Sequence, residues 1–242
     1  MAACTSAVDY YARPKPAYYA VSRAYAPLLV SARFPTLAWE GYEQLEAEAW
    51  VCNSHEEPYA DVTLQMRLLG TRGDVYAERT EPISFGANCA AQVAALQQSL
   101  DHIPEDVFFL DMQLLDAEGV PFCRNRYVFS RTATLSPLLT CPSTTVSISS
   151  STNESEQFLT LTNDGETAAM FVWLEDARDL NAPGYAYFDD NYFCLFPKES
   201  RTVTVTWTDV PSEERRLEIT GWNTQRILLD LSPQGVSFHG LE

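Results

Sequence analysis

The side chains of Asp189, Asp190 and Asn191 form a compact group of oxygen atoms, and Glu175 and Asp176 precede them in the same stretch. Such oxygens could surround a calcium ion or hydrogen-bond a sugar. Short polar side chains also form Asx-type turns, in which they bond to nearby backbone groups. A calcium shell needs more ligands than this group offers, so the turn is the preferred interpretation. The sequence therefore predicts no metal site and no other cofactor.

Carboxylates could also hydrolyse a glycoside, a reaction that needs two positioned carboxyl groups on either side of the bond that breaks. Adjacent residues of a strand point to opposite faces, so Asp189 and Asp190 make a poor pair. The three histidines lie in separate segments, and none accompanies a serine or cysteine in a nucleophile-elbow motif. The sequence assigns no catalytic residue.

Aromatic residues near the same carboxylates indicate sugar contact, because flat side chains cover the apolar faces of pyranose rings. Those that could form a stacking platform are Tyr185, Tyr187, Phe188, Tyr192 and Trp222. In the alternative interpretation Phe193 and Trp222 fill the core, and the tyrosines line a domain seam. Binding residues often lie on long loops, so residues 180–190 are the best local site candidate. The candidate carbohydrate-binding residues are Tyr185, Tyr187, Asp189, Asp190 and Asn191.

Composition limits the partners and the compartment. A net charge of −17 opposes binding to nucleic acid or to anionic lipid, so neither nucleic acid nor a membrane is expected as a partner. The start of the sequence lacks the basic-then-apolar order of a signal peptide. The six cysteines form no C-x-x-C pair, and we expect buried free thiols instead of zinc ligands or disulfides. These features favour the cytoplasm.

One short α-helix is predicted near the start of the sequence. It begins at Pro16 and ends near Pro27. Its apolar residues recur at helical spacing: Ala17, Tyr18, Val21, Ala24, Tyr25 and Leu28. Tyr18, Val21 and Tyr25 form a single stripe, which either folds back on a sandwich or stays exposed. We expect weak self-association through this segment.

After Pro35 the apolar residues alternate, which predicts half-buried antiparallel strands. Residues 70–74 and 116–119 have the composition of hairpin turns, and about seven strands fit between residues 36 and 130. A break near residue 135 starts a second module, in which Asn163-Asp164-Gly165 gives another hairpin signal. Its strand faces are marked by Val146 and Ile148, by Leu159 and Leu161, by Met170, Val172 and Leu174, and by Val203, Val205 and Trp207. The predicted fold is all-β: two tandem immunoglobulin-like antiparallel β-sandwiches preceded by the helix.

Three motifs resemble β-mannosidase-like members of glycoside hydrolase family 2. The strand Phe171-Val172-Trp173-Leu174 followed by Asp190-Asn191-Tyr192-Phe193 is similar to the C-terminal sandwich of that family. The segment from Asp9 to Ala20, DYYARPKPAYYA, looks like the place where the family's catalytic barrel runs out through its last helix. The segment from Glu46 to Asn53 looks like the first sandwich strand after the barrel.

The resemblance implies a domain plan and a parent enzyme. Residues 1–35 would hold the terminal helix of a missing barrel and a linker, residues 36–134 a first sandwich, and residues 135–242 a second, mannosidase Ig/CBM-like sandwich. The family's two catalytic glutamates lie upstream in the barrel, so the chain alone is expected to lack activity. The parent would be a glycosidase that hydrolyses β-mannosides or related exo-β-glycosides.

The expected partners are the catalytic barrel of that parent glycosidase and an oligosaccharide. Two alternatives stay open: a free-standing carbohydrate-binding protein and an immunoglobulin-like interaction module. The predicted helix favours the parent enzyme, because its apolar face has a use only against a barrel or a neighbouring sandwich.

Overall fold

Antiparallel β-strands make up most of the chain, as the alternating pattern predicts. The computed structural model describes residues 6–153, 156–233 and 237–240. The first compact unit, here called the first sandwich, is Ser22–Thr140. The second sandwich comprises the residues up to Val21 together with those from Cys141 onward. Each unit holds two antiparallel sheets, so the predicted all-β fold of two sandwiches is confirmed.

The predicted helix is present as α1 (Pro16–Ala24). It ends earlier than predicted, because Pro27 disfavours helical backbone at the residue before it and Leu28 already belongs to a strand. The helix buries Tyr19, whereas Val21 and Tyr25 of the predicted stripe stay exposed, Tyr25 by 84%. Self-association through these two side chains stays a prediction. Within the described residues no helix is long and apolar enough to cross a membrane.

The first sandwich contains two sheets with the strand orders β1-β2-β5 and β4-β3-β6-β7. Its strands in the described residues are β1 (Leu28–Arg33), β2 (Gln44–Asn53), β3 (Tyr59–Gly70), β4 (Val75–Phe85), β5 (Cys89–Ser99), β6 (Val107–Leu115) and β7 (Pro121–Ser130). In β2 the alternating residues Leu45, Ala47, Ala49 and Val51 are all buried. The alternation therefore predicted the core face correctly.

Both predicted hairpins of the first sandwich are confirmed. Residues 70–74 join β3 to β4, and residues 116–119 join β6 to β7. In the second turn the Asp116 carboxylate accepts hydrogen bonds from the backbone N–H groups of Glu118 (3.1 Å) and Val120 (2.7 Å). Gly119 takes a positive φ of 80°, which glycine adopts without strain.

Residues 1–35 differ from the predicted helix and linker. Residues 28–33 form β1, which pairs with β2 from Leu28 opposite Asn53 to Arg33 opposite Glu48. Only Val30 of this strand is buried, so its pattern was too short to stand out in the sequence. The residues up to Val21 cluster with the second sandwich instead.

The second sandwich contains sheets with the strand orders β12-β10-β14-β15-β16 and β11-β13-β9-β8. Its strands in the described residues are β8 (Val146–Asn153), β9 (Glu156–Asn163), β10 (Ala169–Asp176), β11 (Tyr185–Phe188), β12 (Phe193–Leu195), β13 (Ser200–Thr208), β14 (Arg216–Gly221), β15 (Thr224–Asp230) and β16 (Ser237–Gly240). Val203 and Val205 of β13 are buried, Trp207 is half-buried, and Thr202 and Thr206 are exposed. This arrangement agrees with the predicted faces.

The hairpin predicted at Asn163-Asp164-Gly165 was wrong. These residues connect β9 to β10, which lie in different sheets. The buried Asn163 amide fixes the connection, because its Nδ2 donates to the carbonyl oxygens of Thr167 and Leu195, both at 2.8 Å. Its Oδ1 accepts from the Gly165 N–H at 3.0 Å. The Asn163 side chain therefore stabilises a crossover between sheets and not a tight turn.

A charged network covers the face of β6 that points away from the core of the first sandwich. Asp111 is fully buried, and its carboxylate accepts hydrogen bonds from Arg67 (2.7 Å), Arg124 (2.9 Å) and Arg126 (2.9 Å). Gln113 donates a further bond at 3.0 Å. Burial alone would raise the pKa of Asp111, but the guanidinium groups of Arg126, Arg124 and Arg67 outweigh it and hold that pKa well below its usual range.

The five cysteines within the described residues form no disulfide and are half-buried: Cys52, Cys89, Cys123, Cys141 and Cys194. Cys4 lies outside the described residues. The prediction of free thiols is confirmed for these five, although they are less buried than expected.

Candidate functional site

An open cleft lies on the second sandwich, at the end of β10. Its cavity volume is about 60 Å³, which is well below the usual range of a closed small-molecule pocket, so the cleft is a shallow surface feature. It is bordered by residues 11–14, by Tyr19 of α1, by the end of β10 with the loop that follows, by β11, and by residues 191–192. Its lining residues include Tyr11, Arg13, Tyr19, Glu175, Asp176, Arg178, Asp179, Tyr185, Asn191 and Tyr192.

An ion pair shapes the loop between β10 and β11. The Arg178 guanidinium donates to the Asp176 carboxylate at 2.7 Å from Nη2 and at 3.1 Å from Nε. Its Nη1 donates to the Pro183 carbonyl oxygen at 2.8 Å, which closes the loop on itself. Gly184 follows with a positive φ of 76°, and a Cβ there would lie 2.4 Å from the Thr208 carbonyl oxygen. Only glycine therefore fits where the loop joins β11.

One side of the cleft is formed by residues near the start of the sequence. The Asp9 carboxylate accepts hydrogen bonds from the backbone N–H groups of Tyr11 (2.8 Å) and Arg13 (2.9 Å). Arg13 then donates from Nη2 to the Asp176 carbonyl oxygen at 3.4 Å. This turn places the exposed Tyr11 ring beside the loop after β10.

Tyr19 of α1 packs into the core of the second sandwich and is only 2% exposed. Its ring lies 5.8 Å from the Tyr192 ring, which in turn stacks on Trp173 at 6.2 Å. Burial raises the pKa of Tyr19. Burial also raises the pKa of Tyr192, and the negative charges of Glu175 and Asp9 act in the same direction. These groups stay neutral phenols at physiological pH.

The five predicted carbohydrate-binding residues do not converge on one point. Tyr185 and Asn191 line the cleft, whereas Tyr187, Asp189 and Asp190 lie outside its lining. Residues 185–188 form the strand β11 and not a loop, with Tyr185 and Tyr187 on its exposed side. A hydrogen bond with Tyr18 raises the pKa of Tyr187. Tyr187 therefore contacts α1, and Tyr185 faces the cleft.

Asp189, Asp190 and Asn191 all make structural contacts. The Asp189 carboxylate accepts from the Thr204 N–H at 2.8 Å, and Asp190 forms an ion pair with Arg201. The buried Asn191 side chain pairs with both backbone groups of Leu174, accepting from N–H at 2.8 Å and donating to C=O at 2.9 Å. The Asn191 side chain thus makes the two hydrogen bonds to Leu174 that the backbone of a neighbouring strand would otherwise make. Within the described residues no group of three or more acidic, cysteine or histidine side chains could hold a metal ion.

Trp222 does not fill the core, contrary to one of the two interpretations of the sequence. It lies in the turn between β14 and β15, is 50% exposed, and contacts the Phe171 ring at 6.1 Å. Phe193 is buried, as that interpretation expected. Neither of these side chains lines the cleft.

The cleft residues that sequence reasoning missed include Tyr11, Arg13, Tyr19 and Arg178. Tyr11, Arg13 and Tyr19 belong to the segment interpreted as a barrel exit, so no sandwich contact was expected for them. The signal for Arg178 was present, because an arginine two residues after Asp176 at the end of a strand can bond back to that carboxylate.

Two protein-family models match the chain. The mannosidase Ig/CBM-like domain matches residues 46–132, and the exo-β-D-glucosaminidase Ig-fold domain matches residues 125–224. The resemblance seen in the sequence attached the mannosidase Ig/CBM-like description to residues 135–242, but this model matches the first sandwich instead.

Solved structures that are similar over most of the chain include two glycosidases. The exo-chitosanase of Amycolatopsis orientalis has a TM-score of 0.68 and 19% identity, over 93% of this chain and 29% of its own. The β-D-mannosidase of Dictyoglomus thermophilum has a TM-score of 0.65 and 20% identity, over 91% of this chain and 24% of its own. The chain therefore spans less than a third of either relative. A search of curated proteins found no match.

Proposed function

We propose that this chain, which carries the C-terminal immunoglobulin-like domains of a family 2 glycoside hydrolase, is a non-catalytic part that supports the catalytic barrel of a larger enzyme. The two family models that match residues 46–132 and 125–224 carry the family assignment. The parent enzyme would hydrolyse β-mannosides or related exo-β-glycosides. The names of the two matched domains are consistent with both a mannosidase and a glucosaminidase.

The single observation that carries the supporting role is the burial of Tyr19. The segment that resembles a barrel exit precedes the first sandwich, yet its tyrosine inserts into the core of the second sandwich. Arg13 adds a hydrogen bond to the Asp176 carbonyl oxygen. If a catalytic barrel precedes this chain, the second sandwich would hold the segment that leaves the barrel. This contact would restrain the last helix of the barrel.

Carbohydrate contact is the second part of the proposal. The cleft joins an exposed Tyr185 ring to hydrogen-bonding side chains, a combination that suits a pyranose ring. This feature equally suits a free-standing carbohydrate-binding module, which is the alternative function.

The chain alone is expected to hydrolyse no aryl β-mannoside, β-glucosaminide or β-galactoside. Retaining hydrolysis needs two carboxyl groups about 5–5.5 Å apart, both directed at the substrate. Asp189 and Asp190 instead bond to Thr204 and Arg201. Release of the aryl group measures turnover, and activity that disappears in Asp189→Asn or Asp190→Asn would contradict the proposal.

The coding sequence upstream of Met1 should supply a catalytic barrel, and the joined enzyme should be active. An upstream sequence without a barrel would favour the free-standing module.

Tyr19→Ala is expected to release α1 from the second sandwich. Removing a buried aromatic side chain costs about 3 kcal/mol where the site cannot collapse. Hydrogen exchange followed by mass spectrometry should show faster exchange in residues 16–24, and the thermal midpoint should fall. Val21→Ala on the same helix is the matched control, because Val21 is half exposed. Equal exchange in both variants would show that Tyr19 does not hold the segment.

A further inference from the structure

We propose that the first sandwich binds an extended, basic peptide segment of another protein, which adds as a strand to the edge of β5. This interaction surface goes beyond the proposed support of a catalytic barrel and does not involve the cleft of the second sandwich. A groove beside β5, the unprotected edge of that strand and the surrounding charge support the proposal.

The groove lies between β4 and β5 and holds about 670 Å³, a volume within the usual range for a ligand site. The two strands are edges of different sheets, so neither pairs with a described strand on this side. The lining residues are Ala77, Glu78, Arg79, Ala95, Leu96, Gln97 and Gln98. An edge strand presents a row of backbone N–H and C=O groups, and an extended peptide can pair with them.

Among the four edge strands described in the first sandwich, only β5 contains neither a charged residue nor proline. The others contain Arg33 in β1, Glu78, Arg79, Glu81 and Pro82 in β4, and Pro121, Arg124 and Arg126 in β7. Such residues normally keep an edge from pairing with another chain. A bulge interrupts β5 at Val93, which has no opposite residue on β2. The regular edge that remains available is residues 94–99.

Arg79 of β4 already binds one backbone group of this edge. Its Nη1 donates to the Ala95 carbonyl oxygen, and its Nη2 donates to the Glu81 carboxylate at 2.6 Å. The Ala95 carbonyl group therefore points into the groove. The N–H of Ala95 points the same way, because a strand residue directs both groups to one side. The Arg79 side chain is 42% exposed, so an incoming strand can displace it and take over its bond to Ala95.

The charges beside the groove favour a basic segment. Glu78 lines the groove, and Glu81 binds the Arg79 guanidinium. Glu46 lies opposite Gln97 on the neighbouring strand β2. Three carboxylates thus accompany one guanidinium group. Lysine or arginine side chains of a bound strand would be attracted to these carboxylates.

The charge of the whole chain argues against a second copy as the occupant. Arg67 lies opposite Glu78 on β3, but its guanidinium donates to Asp111 at 2.7 Å. The chain carries −17, so two copies repel each other and a basic partner is attracted. Pairing of β5 with the β5 of a second copy is therefore disfavoured.

A labelled Lys-Val-Lys-Val-Lys-Val peptide tests the proposal by fluorescence anisotropy with the full chain. Two comparison peptides carry methyl groups on the backbone nitrogens of either the lysines or the valines, so they keep every charge and side chain. At least one of them should bind about tenfold more weakly, because it loses the donors directed at β5. A Glu-Val-Glu-Val-Glu-Val peptide should not bind. Hydrogen exchange in residues 94–99 should slow when the lysine peptide is bound.

Two variants test the edge itself. Ala95→Pro removes the N–H that points into the groove and should weaken binding of the lysine peptide about tenfold. Arg79→Ala frees the Ala95 carbonyl oxygen and should strengthen binding about fivefold. Arg72→Ala is the matched control, because it removes the same charge from the exposed turn between β3 and β4. It should strengthen binding less than Arg79→Ala.

Equal binding of the lysine peptide and both methylated peptides would mean attraction to the acidic surface in general, and would overturn the proposal. Absence of binding by the lysine peptide would overturn it as well. Analytical ultracentrifugation examines the remaining occupant: a dimer of Arg79→Ala that binds no peptide would mean that β5 pairs with a second copy. If Ala95→Pro does not fold, the methylated peptides make the same comparison on the unchanged chain.

Discussion

Val205→Asp is expected to unfold the second sandwich. Val205 has no exposed surface and lies in the middle of β13, between β9 and β11. An aspartate there would place a charge in the core with no cation to pair it, which costs about 3–5 kcal/mol. A loss of this size is comparable to the whole stability of many domains, about 5–15 kcal/mol.

Thr206→Asp is the control for this prediction, because Thr206 is the next residue of β13 and is exposed. Its effect should stay within about 1 kcal/mol, the span of strand propensities. Thermal unfolding followed by circular dichroism measures both variants. Hydrogen exchange should show the loss of protection in β9 and β13. A Val205→Asp protein that melts at the wild-type temperature would refute the assignment of Val205 to the core.

Asp111→Asn is expected to destabilise the first sandwich by about 3–5 kcal/mol, the usual cost of breaking a buried ion pair. The neutral amide would leave the guanidinium groups of Arg67, Arg124 and Arg126 crowded together without their common carboxylate. Glu118→Gln, an exposed carboxylate changed to an amide, should have little effect. Urea unfolding measures the difference, and equal midpoints for the two variants would contradict the prediction.

The same network predicts a pH dependence. The folded-state pKa of Asp111 is lowered, so its contribution to stability is complete above the unfolded pKa of about 3.9. The contribution falls as the pH drops from there through the folded pKa. The stability difference between wild type and Asp111→Asn should therefore be constant from neutral pH to mildly acidic pH and shrink only in strong acid. A difference that vanishes near neutral pH would contradict this.

Local sequence signals predicted the strands well and the connections less well. Alternation in β2 and β13 identified the buried faces, because one side of each strand meets a core and the other meets polar surroundings. The composition of residues 70–74 identified a true hairpin. Asn163-Asp164-Gly165 has similar composition but connects two sheets, because the choice depends on partners such as Leu195 that are distant in sequence.

The candidate site was predicted only in part, for a related reason. Tyr185 and Asn191 were identified because they lie within one aromatic and acidic stretch, and both border the cleft. Tyr11, Arg13 and Tyr19 reach the same cleft from the other end of the chain. The Arg13 and Asp176 contact spans 163 residues, and no pattern within a local window carries that information.

The insertion of Tyr19 also sets an order of folding during synthesis. The first sandwich, Ser22–Thr140, consists of contiguous residues, so all its strands are available once the ribosome has passed Thr140. The second sandwich draws its core from both ends of the chain, and Tyr19 has no binding partner until Tyr192 and its neighbours have been made. Contacts of such long sequence separation form late. We therefore expect the Tyr19 side chain of α1 to remain uncovered while the chain is being made and to become buried only after residues 141–192 have been added.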